Sequence, residues 1–215
     1  KMCISSSSLY FDYHIANDFI AQLVREYPDR FFGYMIINPN YLEDIENEME
    51  RCLNMGLKGV KIHPLFHRCP ITGENYRKVF EFAKQKRCLI LSHSQINDQY
   101  CDPLLFDEIA RDYPEVTFIL AHGGNEPYKG VAKCIEVMKK RPNVYTDTSW
   151  SPQVYYGVME EILKKSDPDR WLFGSDVVWL SLSHQLGAFL SAKISDKNRE
   201  KILYLNAKKL LENYK

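Results

Sequence analysis

Seven short apolar runs recur along the chain, and each is typical of a β-strand. The runs begin at Met2, Phe32, Leu57, Cys88, Val116, Val144 and Trp171. Most of them are continuously apolar rather than alternating, which indicates strands that are covered on both faces. Successive runs begin 25 to 31 residues apart, which leaves room for a helix between each pair of strands.

Apolar residues spaced three, four and seven positions apart predict amphipathic helices between these runs. One such set comprises Ile45, Met49, Cys52 and Leu53, and another comprises Val131, Cys134, Ile135 and Met138. Since no linker rich in Pro, Gly or Ser interrupts the rhythm, we expect residues 1–215 to form one domain. A strand–helix unit repeated in this way predicts a parallel α/β sheet, because parallel neighbours need a crossover connection.

Two α/β architectures compete at this point, a doubly wound open sheet and a TIM-type (β/α)8 barrel. A dinucleotide-binding sheet would carry GxGxxG at its first strand–helix turn, but residues 5–12 contain no glycine. No P-loop motif occurs in the sequence either. Polar residues instead follow several strands at their carboxyl ends, where barrels build their active sites. These residues are Lys61, His63, His93, His122, Asp147, Thr148 and Asp176. The pattern therefore favours the barrel.

Composition narrows the classes of partner and compartment. The chain has 28 basic and 28 acidic residues, so electrostatics give no case for nucleic acid as the main partner. The longest uncharged run, residues 177–192, is too short and too polar to cross a membrane. Six scattered cysteines form no CxxC pair, which fits a reducing, cytoplasmic setting. Residue 1 is Lys, and we expect the sequence to begin partway into its gene product.

Two histidines and one aspartate share a position at strand ends. His93 and His122 each follow an apolar run and lie 29 residues apart, about one strand–helix repeat. Asp176 ends the last run, 54 residues after His122. In a barrel these three side chains would point to one central place. Neutral imidazole and carboxylate are ligands of divalent ions such as Zn²⁺, so the three residues are predicted to bind a metal.

Several motifs, in this order and spacing, resemble those of the amidohydrolase superfamily. The resemblance extends from Ile4 to Tyr214 and is nearest to the amidohydrolase-related branch that contains aminocarboxymuconate semialdehyde decarboxylase. The motifs are Asn17 with the run Tyr27-Pro28-Asp29-Arg30-Phe31, then Gly59-Val60-Lys61-Ile62-His63-Pro64, Ser92-His93, Ala121-His122-Gly123-Gly124, Tyr145-Thr146-Asp147-Thr148-Ser149, Phe173-Gly174-Ser175-Asp176 and Asn206-Ala207-Lys208-Lys209-Leu210-Leu211.

The resemblance implies roles for the same three residues. His93 corresponds to a metal ligand, and His122 to a residue that binds a metal or polarises the reacting water. Asp176 corresponds to a ligand that also shuttles protons. The family carries an HxH pair on its first strand, and no two histidines here are two residues apart. We therefore expect the seven strands to be the second to eighth of the barrel, with the first βα unit absent and the sheet unable to close.

An open sheet predicts unpaired strand edges lined by Ile4, Leu172 and Phe173, weak metal binding and little activity from residues 1–215 alone.

Five further residues are candidates for substrate binding, each with a structural alternative. Lys61 is a structural or substrate-facing charge, although some superfamily members use a lysine there to bridge two metals. His63 faces the barrel mouth or caps its strand, and Arg68 clamps a substrate carboxylate or is solvated in a loop. Trp150 and Trp179 wall the pocket or pack their own loops.

These features together predict an enzyme that uses a divalent ion, with Zn²⁺ as the first choice. The predicted reaction is hydrolysis of a small-molecule amide, ester or lactone through a metal-activated water. One alternative is a metal-dependent decarboxylase of a small carboxylic acid. Another is a non-catalytic ligand-binding relic or inactive fragment. By analogy with the family, a homodimer is expected.

Overall fold

A computed structural model describes residues 1–7, 12–41, 45–150 and 157–214. Its seven strands form one parallel sheet in which each strand pairs with its sequence neighbours. The strands are β1 (Met2–Ile4), β2 (Phe31–Ile36), β3 (Gly59–Ile62), β4 (Leu89–His93), β5 (Phe118–Ala121), β6 (Val144–Asp147) and β7 (Trp171–Leu172). Every strand predicted from an apolar run is therefore confirmed. The sheet curls into an open TIM-type barrel.

Helices follow the strands in alternation. They are α1 (Tyr13–Glu26), α2 (Ile45–Asn54), α3 (Pro64–His67), α4 (Glu74–Lys86), α5 (Phe106–Asp112), α6 (Lys129–Lys140), α7 (Val158–Leu163), α8 (Leu182–Ser191), α9 (Asp196–Glu200) and α10 (Asn206–Glu212). Short 3₁₀ turns cover Pro103–Leu105, His122–Asn125 and Pro168–Arg170, and a π-helical turn covers Lys201–Leu205. Among the described residues, no helix is long and apolar enough to span a membrane.

The main core lies between the convex face of the sheet and the surrounding helices. The predicted helix faces supply part of it, since Met49, Cys52 and Cys134 are fully buried. Strand residues that point outward, such as Val60 and Phe118, pack against these faces. Burying such side chains contributes roughly 1.5–3 kcal/mol each, which explains why the apolar pattern determines the fold.

The concave face of the sheet carries a second, smaller core. Alternate strand residues Tyr34, Leu89 and Ile119 point inward and pack with Leu172 and with Leu210 of α10. The same alternation places Lys61, His93 and Asp147 on the inner face, nearer the carboxyl ends of their strands. The C-terminal helix therefore helps to fill the barrel interior below the polar strand ends.

The outer edge of β7 is covered rather than exposed. The backbone N–H of Phe173 donates to the carbonyl of Ile202 at 2.9 Å, and Asn206 Nδ2 donates to the carbonyl of Trp171 at 2.8 Å. Leu172 is only 7% exposed. The prediction of an exposed apolar edge is therefore wrong for β7, because the C-terminal segment satisfies its backbone groups. Within the described part of the chain, β1 pairs only with β2, and β7 pairs only with β6.

A side-chain amide covers the end of β2 in a comparable way. Asn17 Oδ1 accepts from the Ile36 N–H at 2.7 Å, and Asn17 Nδ2 donates to the Ile36 carbonyl at 3.0 Å. The same Nδ2 donates to the buried Glu48 carboxylate at 2.7 Å. Glu48 also accepts hydrogen bonds from Arg51, the shorter of them at 2.7 Å. A buried carboxylate therefore fixes the amide that ends the strand.

Glu48 is expected to make folding stability sensitive to acid. Burial raises the pKa of its carboxyl, but hydrogen bonds from Arg51, Asn17 and their neighbours outweigh burial and lower the pKa from 4.5 to about 2. The unfolded chain thus binds the proton more tightly, so this stabilisation is complete above about pH 4.5 and is lost as the pH falls towards 2. The free energy of unfolding, measured with denaturant between about pH 2 and pH 6, should fall less steeply towards low pH in Glu48→Gln than in the parent. Glu46→Gln, at an exposed position of the same helix, should keep the parent slope. An equally steep loss of stability at low pH in the parent and in Glu48→Gln would show that Glu48 is not the source of the acid sensitivity.

Candidate functional site

Polar and ionisable side chains meet at the carboxyl ends of strands β3 to β6. Lys61 lies within β3, His93 is the last residue of β4, and Asp147 is the last residue of β6. His122 follows β5 directly. Because parallel strands end at the same edge of the sheet, these residues share one region on its concave side.

Three imidazole rings form a contiguous group at this edge. The rings of His63 and His93 stack with their centroids 3.9 Å apart and their planes 12° apart. The rings of His93 and His122 have centroids 4.9 Å apart and are inclined at 59°. The structure therefore brings together the two histidines that the sequence placed on neighbouring strands, and it adds His63 beside them.

His63 belongs to this group and also begins the next helix. Its Nδ1 accepts from the backbone N–H of Phe66 at 3.4 Å, which caps α3, and Pro64 occupies the first helical position. The Phe66 ring stacks on the other side of the imidazole at 3.7 Å. The His63 ring is therefore held between the rings of Phe66 and His93. His63 caps the start of α3 rather than the end of its own strand.

Burial keeps these imidazoles neutral. It lowers the pKa of His93 to about 2, assisted by repulsion from His122 and Lys61. It lowers the pKa of His122 to about 3, assisted by repulsion from Lys61. Burial is also the largest cause of a strongly lowered pKa for His63. Neutral imidazole is the form that binds a metal, so the group is ready for that role near neutral pH.

One ammonium group lies among acidic and imidazole neighbours. Burial lowers the pKa of Lys61, while the negative charges of Asp147 and Asp176 oppose that change. Burial raises the pKa of Asp176, Lys61 lowers it, and Asp147 raises it again. Asp176 therefore lies in the electrostatic field of the same cluster. Its backbone is left-handed, with φ of 54°.

A hydrogen-bond network links His122 to the end of β6. Asp147 Oδ1 accepts from the backbone N–H groups of His122 at 3.0 Å and Ser149 at 2.9 Å. Ser149 Oγ lies 2.6 Å from the same Oδ1 and 2.9 Å from His122 Nδ1. His122 has φ of 69°, which orients its backbone N–H toward Asp147. The sequence pattern predicts Asp147 as a polar strand end but not this link, although the run Asp147-Thr148-Ser149 after an apolar strand is a usable signal.

His93 provides the test of whether a metal suits the site. Neither of its ring nitrogens has a hydrogen-bond partner among the described residues, although the ring is buried. Gln95 is near enough to raise the His93 pKa slightly, without reaching hydrogen-bond geometry. A buried imidazole without partners is costly unless a ligand satisfies it. The donor chemistry therefore fits a divalent ion, yet within the described ranges no three His, Cys, Asp or Glu side chains form a complete metal-binding group.

The remaining candidates lie around the rim. Arg68 is exposed and ends α3 in a left-handed conformation, with φ of 49°. Trp150 is 45% exposed and directly follows Ser149, and Trp179 is 68% exposed after Asp176. Contact of these three side chains with a substrate stays a prediction.

A family model described as Amidohydrolase matches residues 9–212. The chain belongs to the amidohydrolase family. This confirms the superfamily predicted from the ordered motifs, whose members are metal-dependent hydrolases and decarboxylases. No curated protein is significantly similar to the chain.

Several proteins of known structure share the fold of this amidohydrolase-family chain. An uncharacterized TIM-barrel protein from Bordetella bronchiseptica has a TM-score of 0.79 at 24% identity, covering 92% of this chain and 72% of that one. A dihydroxybenzoic acid decarboxylase from a Polaromonas species, with bound manganese and an inhibitor, has a TM-score of 0.73 at 20% identity, covering 93% and 74%. A probable 2-pyrone-4,6-dicarboxylic acid hydrolase from Acinetobacter baumannii has a TM-score of 0.75 at 14% identity, covering 98% and 82%. These likenesses confirm the TIM-type α/β fold.

Proposed function

We propose that this amidohydrolase-family protein is a metal-dependent hydrolase of a small-molecule amide, ester or lactone. The observation that supports this best is the neutral, buried ring of His93, which lacks hydrogen-bond partners among the described residues and lies beside His122. An imidazole in this state is suited to bind a divalent ion. Family membership supports the same class of chemistry.

In this proposal His93, His122 and Asp176 contribute ligands to the ion, with Zn²⁺ as the first choice. When bound, such an ion would supply Lewis-acid polarisation of a carbonyl group and a lowered pKa for water in its coordination sphere. Asp176 would accept the proton of the attacking water and pass it to the leaving group. In the metal-free protein, burial raises the pKa of the Asp176 carboxyl above its usual value.

Lys61 gives the site its positive charge and would bind an anionic group of the substrate. It is half-buried on the inner face of β3, close enough to Asp147 and Asp176 for their charges to act on it. His63, held between Phe66 and His93, would form one wall of the pocket. Arg68, Trp150 and Trp179 would contact substrate from the rim.

Decarboxylation of a small carboxylic acid is the second candidate, and Lys61 is the observation that favours it. A half-buried ammonium group is a suitable partner for a substrate carboxylate. In that reaction Asp176 would deliver its proton to a carbon atom rather than to a leaving group. The nearby carboxylates of Asp147 and Asp176 partly balance the charge of Lys61, so the described residues of the site carry no large excess of positive charge, which favours hydrolysis.

The test uses purified full-length protein and matched substrate pairs. The metal is removed with a chelator, Zn²⁺ or Mn²⁺ is added back, and esters, amides and lactones are assayed beside the corresponding carboxylic acids. We expect hydrolysis that disappears with the metal and returns with it. Metal-dependent release of CO₂ without hydrolysis would support the second candidate instead. Stoichiometric metal without turnover on either series would support a ligand-binding role and contradict both enzymatic proposals.

A further inference from the structure

The Nδ1 atom of His122 lies between two oxygen atoms of one residue. Ser149 Oγ is 2.9 Å from Nδ1, and the Ser149 backbone carbonyl is 3.2 Å from it. His122 and Ser149 are both buried, at 7% and 6% exposure, so water does not compete freely for these groups. The protonation of Nδ1 is therefore decided by what these two oxygens can donate.

Counting the protons leaves a single assignment. The Ser149 carbonyl has no proton and can only accept. The Ser149 hydroxyl has one proton, and its contact with Asp147 Oδ1 at 2.6 Å is the shorter of its two. A carboxylate can only accept, so the hydroxyl donates to Asp147 and has no proton left for the imidazole. Nδ1 must therefore carry the hydrogen and donate it to Ser149.

We propose that Asp147 and Ser149 are positioning residues that hold neutral His122 as its Nδ1–H tautomer, with the lone pair on Nε2. The proton count stands on the geometry alone, whereas its meaning for catalysis rests on the proposed function. Which ring nitrogen of a histidine is protonated is commonly set by the hydrogen bond that the other nitrogen makes. Asp147 and Ser149 provide that bond here.

The tautomer limits what the Nε2 atom of His122 can do. A ring with its lone pair on Nε2 binds a metal or accepts a proton through that atom. The same atom cannot donate a hydrogen bond to a water or to a substrate oxygen. Asp147 and Ser149 therefore leave ligand and proton-acceptor chemistry open to Nε2 of the neutral ring and exclude hydrogen-bond donation from that atom.

The surroundings keep this arrangement from rotating. Asp147 Oδ1 is held by the backbone N–H groups of His122 and Ser149, both within 3.0 Å. Gly174, which follows β7, packs directly against the pair. A Cβ atom at Gly174 would lie 2.8 Å from Ser149 Cβ and 3.2 Å from Asp147 Cγ, so no larger residue fits without moving them. The hydrogen-bonded group of His122, Ser149 and Asp147 is therefore packed between β5, β6 and the segment after β7.

Nitrogen NMR of the full-length protein labelled with ¹⁵N-histidine tests the proposal directly. The spectrum is recorded without metal or substrate, and a His122→Gln spectrum identifies the His122 signals. We expect a protonated Nδ1 and an unprotonated Nε2 in the parent. Ser149→Ala removes one hydrogen bond to Nδ1 and should shift the tautomer ratio toward Nε2–H by about fivefold, while Ser149→Thr should restore the parent ratio.

Ser92→Ala is the matched control, because the Ser92 hydroxyl is buried in the same strand-end region but donates to the His93 carbonyl. It should leave the His122 signals unchanged. A parent spectrum dominated by Nε2–H, or a Ser149→Ala spectrum with the parent ratio, would overturn the proposal. The measurement needs neither metal nor turnover. The tautomer can therefore be determined even if the hydrolase proposal is wrong.

Discussion

Replacing Asp176 with Asn is expected to lower kcat/KM of the full-length protein by about 100-fold to 10,000-fold, the range typical of a lost general acid–base group. The amide has nearly the shape of the carboxyl group but cannot take up and release the proton. The assay uses whichever substrate of the amide, ester and lactone series is turned over best.

The substitution should leave stability close to that of the parent. Asp176 has a left-handed backbone with φ of 54°, and Asn tolerates that conformation as well as Asp does. Thermal unfolding therefore checks that a loss of activity is chemical. Asp196→Asn, at a fully exposed carboxylate on α9, is the matched control and should keep parent activity. If Asp176→Asn retains activity within about tenfold, a barrier change below ~1.4 kcal/mol, Asp176 is not the proton shuttle.

Replacing His93 with Ala is expected to weaken binding of Zn²⁺ by more than about 100-fold, because loss of even an outer partner of a metal ligand costs 10–100-fold. A competition titration against a chromophoric chelator measures this affinity. His184→Ala, at an exposed position on α8, should keep the parent affinity. An affinity within threefold of the parent in His93→Ala would show that His93 does not bind the metal.

The same variant has a second expected effect, on the metal-free protein. Truncating a buried side chain normally destabilises a fold through the cavity it leaves. Here the truncation also removes two buried nitrogens that lack hydrogen-bond partners among the described residues, and each such atom costs roughly 1–3 kcal/mol. We therefore expect metal-free His93→Ala to lose under about 1 kcal/mol in denaturant unfolding. A loss of several kcal/mol would indicate a structural role instead.

The strands and the strand-end histidines could be predicted because both depend on local pattern. A continuous apolar run such as residues 88–91 leaves little choice but a buried strand, and a polar residue directly after it must lie at the strand end. The repeat length then places His93 and His122 on adjacent strands. The structure brings their ring centroids to 4.9 Å.

The missed features depend on contacts between distant segments. The link from His122 to Asp147 and Ser149 requires a left-handed residue after β5 and the register between β5 and β6, neither of which apolar spacing encodes. The docking of α10 was missed for a similar reason. The motif Asn206-Ala207-Lys208-Lys209-Leu210-Leu211 does not by itself indicate that Leu210 packs on the inside of the sheet or that Asn206 covers the edge of β7.

Anomalous diffraction from crystals of the full-length protein grown with Zn²⁺ tests the central claim most directly. The claim is that His93, His122 and Asp176 hold one divalent ion at the carboxyl ends of the strands. We predict a single strong anomalous peak within coordination distance of a His93 ring nitrogen, His122 Nε2 and an Asp176 carboxylate oxygen. An ordered zinc ion bound elsewhere, with none of these three atoms among its ligands, would contradict the claim.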